Sequence, residues 1–208
     1  MKKLVLSAAI VLSSFAIALA QNEKKPEFFG GYSFESVNSG ITSTDLGTTT
    51  SLDNRFKTNG FNVAGTGYFT KRFGITADFS GHYNTRTDTF GTTTGQSKLS
   101  LYNFTAGPQF RFPGKGKVTP FVHGLAGFAR RNLSETPTTS TTTFTDNKTS
   151  FALNLGGGVD LNLSKRVAWR LFQFDYNPIF LRARTVNTTP IASSTLNGFR
   201  FSTGIVIK

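Results

Sequence analysis

Asp78, Ser80 and His82 occupy alternate positions of one alternating stretch. In an extended strand alternate side chains share a face, so an acid, a hydroxyl and an imidazole point the same way. Such a set suits acyl transfer, in which the hydroxyl attacks, the imidazole takes its proton and the acid orients the ring. Residues two apart on one face come near hydrogen-bond reach, but structural Ser/His pairs do so as often. No nucleophile-elbow motif accompanies them. The sequence therefore favours a structural polar face over a hydrolase. His82 and His123 are the only histidines, and cysteine is absent. Zinc-thiolate sites, iron–sulfur sites and thiol nucleophiles are excluded. No catalytic residue, metal ligand or cofactor is expected.

A second constellation is larger. Glu35, Asp78, Arg111, Asp160, Arg170, Asp175 and Arg200 all fall on the polar side of alternating stretches. Both signs occur, and charges withdrawn from water need partners to offset desolvation. These seven are expected to form an ion-paired cluster filling a narrow interior. The rival reading is a narrow path for ions.

The elements that must position these residues are strands of about ten residues. Phe151-Ala152-Leu153-Asn154-Leu155-Gly156-Gly157-Gly158-Val159-Asp160-Leu161-Asn162-Leu163 shows the pattern most clearly. Every odd position except Gly157 is large and apolar, and every even position is small or polar. One face in hydrocarbon and one in a polar lumen gives this pattern. Similar stretches are predicted near 27–37, 60–69, 73–83, 98–112, 118–130, 167–179 and 196–207, with the facing of 118–130 ambiguous. In the seventh, Arg170 and Asp175 are an odd number of positions apart, so a β-bulge near Leu171-Phe172 is expected to turn both inward.

The connections alternate in length. Short turns are predicted at 70–72, 113–116 and 164–166, and long Thr/Asn/Gly-rich loops at 38–57, 84–97, 131–149 and 181–195. Eight strands bring both ends to one side, where the short turns also lie. Short periplasmic turns and long external loops are the pattern of outer-membrane barrels. Twenty-two Phe and five Tyr, many at strand ends, suit interfacial girdles. A soluble lipocalin-like barrel is disfavoured, because it would place polar residues at Leu153, Leu155 and Leu161. The triplets at Asn132, Asn147 and Asn187 that match glycosylation acceptors arise readily by chance in Asn/Thr-rich loops.

The N-terminus reads as an export signal. Lys2 and Lys3 precede an uncharged apolar run from Leu4 to Leu19, and Ala18-Leu19-Ala20 fits a cleavage site. Residues 1–20 are the expected signal peptide, and 21–208 the barrel domain. The formal charge is +12, of which the signal holds two. Nucleic acid is an unsuitable partner for an exported chain whose aromatics alternate along strands. Outer-membrane lipid or lipopolysaccharide suits the basic charge better.

The chain resembles the bacterial outer-membrane β-barrel domain family, the small OmpA-like and OmpX-like barrels. The resemblance rests on Phe28-Phe29-Gly30-Gly31-Tyr32-Ser33, Phe104-Thr105-Ala106-Gly107-Pro108-Gln109-Phe110, Thr119-Pro120-Phe121-Val122-His123-Gly124 and Arg170-Leu171-Phe172-Gln173-Phe174-Asp175-Tyr176. It implies an all-β fold: an eight-stranded antiparallel up-and-down transmembrane β-barrel, monomeric, in the outer membrane of a Gram-negative-type bacterium. It also implies handling by the barrel-insertion machinery. Members usually end on an aromatic residue, whereas this sequence ends Ile205-Val206-Ile207-Lys208. Members that continue into a peptidoglycan-binding domain have a tether not expected here. The expected role is structural display, with long loops meeting a surface ligand and no turnover. The alternatives are a narrow pore for ions or small solutes and a lipid-modifying enzyme.

Overall fold

The computed structural model describes residues 26–38, 42–45, 48–51, 55–90, 93–114, 116–137, 144–181, 184–186, 189–191 and 194–208. The expected signal peptide lies outside the described residues. Twelve strands are present among them: β1 (Glu27–Asn38), β2 (Thr42–Asp45), β3 (Thr48–Ser51), β4 (Arg55–Tyr68), β5 (Phe73–Phe90), β6 (Thr93–Arg111), β7 (Val118–Pro137), β8 (Phe144–Asn162), β9 (Val167–Leu181), β10 (Arg184–Val186), β11 (Thr189–Ile191) and β12 (Ser194–Ile207). Eight close into one barrel in the order β1-β12-β9-β8-β7-β6-β5-β4, all antiparallel. The pairs β2–β3 and β10–β11 form separate small hairpins. Closure runs from Phe28 opposite Ile207 to Val37 opposite Gly198, so the eight barrel strands leave no open edge among themselves.

The barrel is inside-out relative to a soluble protein. Phe28, Phe128, Phe174, Leu155 and Ile205 stand exposed on its outer surface, while Ser33, Glu35, Asn62, Asp78, His82 and Arg200 are buried inside. Only hydrocarbon makes that arrangement favourable, because in water the outer aromatics would be the costly ones. Rings pack along the outer face from strand to strand, as in Phe61–Phe79, Phe79–Tyr102 and Tyr83–Tyr102. The facing that the sequence left ambiguous is resolved in β7: Thr119, Phe121, His123 and Leu125 point inward, Val118, Val122 and Phe128 outward.

Two features shape the lumen. The β8–β9 register slips between Val159 and Asp160, with Val159 opposite Phe172 and Asp160 opposite Arg170. Leu171 is the extra residue, and both Arg170 and Asp175 are buried in the interior. Second, four strands outrun the membrane. β5, β6, β7 and β8 have 18, 19, 20 and 19 residues, against about ten needed to cross. The segments 84–97 and 131–149, expected as loops, are therefore largely paired β-hairpin. Their Thr-rich composition hid this, because strands standing outside lipid need no apolar face.

Candidate functional site

The lumen side chains lie in tiers from the periplasmic end upward. At the bottom, Arg111 Nη1 donates to Glu27 Oε1 at 2.6 Å, and its guanidinium lies 3.8 Å from the Tyr68 ring centroid. Gln109 joins the layer by donating to Tyr68 Oη at 2.7 Å and accepting from Thr76 Oγ1 at 3.0 Å. Lys208 Nζ reaches in from the last residue and donates to Asn162 Oδ1 at 2.5 Å.

The next tier is built around Arg170. Its Nε and Nη2 donate to the two Asp160 carboxylate oxygens at 2.8 and 3.2 Å, and Nη1 donates to Gln173 Oε1 at 2.7 Å. Its flat guanidinium is sandwiched between Phe29 and Phe121, 4.4 and 4.1 Å from their ring centroids. A desolvated cation–π contact of this kind contributes about 2 kcal/mol. The bulge at Leu171 is what aims this side chain inward.

The middle tier is held by Arg200. Nη1 donates to Asp78 Oδ1 at 2.8 Å, and Nε donates to Asp175 Oδ2 at 2.8 Å. Asp78 also accepts from Asn62 Nδ2 at 2.8 Å, and Asp175 from Gln173 Nε2 at 2.7 Å. His123 Nε2 lies 2.9 Å from Asp175 Oδ1. One cation thus joins β5, β9 and β12 across the lumen, and two carboxylates offset its desolvation.

Above it, His82 Nε2 lies 2.9 Å from Ser33 Oγ, which lies 3.0 Å from Ser202 Oγ. His82 Nδ1 lies 2.9 Å from Glu35 Oε2, and Asn177 Nδ2 donates to Glu35 Oε1 at 3.1 Å. Ser33, His82 and Glu35 therefore stand in nucleophile–base–acid order. One observation argues against chemistry there. Every member is fully buried, so a substrate carbonyl has no approach. The trio suggested by spacing is not assembled: Ser80 Oγ is buried without a hydrogen-bond partner, and Asp78 turns to Arg200.

The lumen is capped by an apolar layer. Val37, Leu101, Ala129, Ala152, Ile179 and Leu196 cluster inside the barrel, with Leu181 packed against them. Sequence reading missed this layer, although Leu99 and Leu101 share the phase of inward Asn103. It also missed Glu27 and Gln173, while Ser33 and Gln109 fall on the polar faces of their alternating stretches and are buried inside. Neutral or terminal residues carry little signal until their partners on other strands are known. Of the seven expected cluster residues, Glu35, Asp78, Asp160, Arg170, Asp175 and Arg200 are buried in the lumen, and Arg111 is at its partly exposed periplasmic mouth. Among the described residues no three His, Asp or Glu side chains converge on a metal-sized site.

A closed eight-stranded barrel with an apolar outer surface and a packed polar interior defines an outer-membrane β-barrel. Residues 5–190 match the outer membrane protein beta-barrel domain family, and the chain belongs to it. It is an outer-membrane protein. In fold it is similar to Neisserial surface protein A, at 13% identity and a TM-score of 0.53, covering 89% of this chain and 99% of that one. The outer membrane protein OprG from Pseudomonas aeruginosa is similar at 13% identity and a TM-score of 0.50, with coverages of 90% and 97%. No curated protein matches the sequence.

Proposed function

We propose that the protein is a sealed, monomeric surface-display barrel: it holds long β-hairpins above the outer membrane and neither conducts nor turns over a substrate. The observation that carries this reading is the double closure of the lumen. The Arg200 clamp joins three strands in a fully buried tier, and the apolar layer above it excludes hydrated ions. The hairpins β5–β6 and β7–β8, at 18 to 20 residues per strand, supply the display platform. Their ligand is a surface partner met through the external segments, and lipopolysaccharide surrounds their bases. Export follows cleavage after Ala20, and insertion is the work of the barrel-insertion machinery.

The test is planar-bilayer recording on refolded protein, paired with binding of intact cells to host-cell or polysaccharide surfaces. Flat current, with binding lost when residues 138–143 are replaced by a two-residue turn, is the expected result. Stable conductance steps would replace this reading with the narrow pore. A lipid-modifying enzyme is the weaker rival, because Ser33, His82 and Glu35 have no route to lipid.

A further inference from the structure

The β4–β5 and β8–β9 turns repeat one motif. Phe69-Thr70-Lys71-Arg72-Phe73 and Leu163-Ser164-Lys165-Arg166-Val167 both read apolar–hydroxyl–Lys–Arg–apolar. Their hydrogen bonds repeat as well. The amides of Phe69 and Thr70 donate to the Phe73 carbonyl, and those of Leu163 and Ser164 donate to the Val167 carbonyl. Thr70 Oγ1 accepts from the amides of Arg72 and Phe73, and Ser164 Oγ from those of Arg166 and Val167. The strand order sets the two turns on opposite sides of the barrel. The third short turn, β6–β7, exposes Lys117.

These turns hold exposed cations without acids. Lys71, Arg72, Lys117, Lys165 and Arg166 are all exposed, and none makes an ion pair among the described residues. Exposed apolar residues flank them: Phe69, Phe73, Phe112, Val118, Leu163 and Trp169. Apolar flanks place the basic side chains at the hydrocarbon boundary, where their stems lie along the acyl region and their heads reach the phosphates. Turns this short do not project toward a distant periplasmic partner.

We infer that the three periplasmic turns bind the phosphates of anionic phospholipid headgroups in the inner leaflet of the outer membrane, with the two repeated Lys–Arg turns as paired sites across the barrel. A polybasic segment at an anionic surface gains about 1 kcal/mol per basic side chain, equivalent to roughly five-fold in affinity for each.

Trp169 is the only tryptophan. It is exposed beside the β8–β9 turn, with its indole N–H donating to Thr203 Oγ1 at 3.3 Å. Its fluorescence therefore reports the lipid at that site. The protein is refolded into vesicles containing brominated phosphatidylglycerol or brominated phosphatidylcholine at equal mole fraction. The expected result is preferential quenching by phosphatidylglycerol, equivalent to roughly five-fold or more in relative binding. The double variant Lys165→Gln/Arg166→Gln, confirmed as folded by its heat-dependent gel shift, is expected to quench equally with both lipids. Equal quenching of the unaltered protein, or a preference that survives the double variant, would overturn the inference. If the variant does not fold, a salt titration of the unaltered protein decides: a preference lost at high salt supports the site, and one indifferent to salt overturns it. Equal quenching together with sedimentation on purified cell wall would assign the turns to cell-wall carboxylates instead.

Discussion

Arg200 lies directly opposite Asp175 in the pairing of β12 with β9, its Nη2 2.8 Å from Asp175 Oδ2, and neither side chain is exposed. The same guanidinium reaches Asp78 on β5, 122 residues earlier in the chain. Removing one partner of a buried pair costs more than removing all, because the survivors remain charged and unpaired.

Arg200→Met is therefore expected to destabilise the barrel by about 3–5 kcal/mol. The triple variant Arg200→Met/Asp78→Asn/Asp175→Asn is expected to recover most of that loss. Urea unfolding of refolded protein in detergent, followed by loss of the gel shift, measures both. A triple variant less stable than the single one would contradict the pairing.

Deletion of Leu171 removes the extra residue of the bulge. Arg170 must then face lipid or the β9 register must slip. An arginine on the lipid face is destabilising, by up to about 2–4 kcal/mol at the midplane and less toward the periplasmic side where Arg170 lies, and its sandwich between Phe29 and Phe121 is lost as well. The folded fraction after refolding into vesicles is expected to fall sharply, whereas Leu171→Ala, which keeps the residue count, refolds nearly as well as the original.

Neighbouring glycines in β1 are expected to differ. A Cβ at Gly30 meets nothing within 4 Å, while one at Gly31 runs into the Thr203 carbonyl and the Gly204 backbone. Gly30→Ala is expected to leave stability within about 0.5 kcal/mol, and Gly31→Ala to lower it by about 1–3 kcal/mol through overpacking. Parallel urea titrations of the two variants give the comparison.

Ser33 is expected to resist a fluorophosphonate probe in the folded barrel, as judged by intact-protein mass. An adduct at Ser33 that disappears in His82→Ala would instead show that the buried trio is reached and activated.

Local periodicity carried much of this structure. The alternation from Phe151 to Leu163 gave β8 its facing, and the odd spacing of Arg170 and Asp175 located the bulge. Interior partners were less legible. His82 lies near Ser33, 49 residues away, on a strand separated from β5 by β4. Which inward side chains meet across a lumen depends on strand tilt and stagger, quantities that no single strand encodes. The upper halves of β5 to β8 were hidden for a different reason. Outside lipid, neither face must be apolar, so the two-residue period fades although the hydrogen-bonded ladder continues.

The Arg200 clamp also bears on how the barrel assembles. β12 closes the barrel against β1 and carries the guanidinium, whereas Asp78 sits on β5. Pairing of β12 with β9 already brings Arg200 to Asp175, whereas Asp78 gains this counter-charge only when closure carries β5 across the lumen. Neutralisation of Asp78 by Arg200 is therefore tied to barrel closure. The far half of the clamp is made only when the seam shuts, so the seam works as a latch on the lumen.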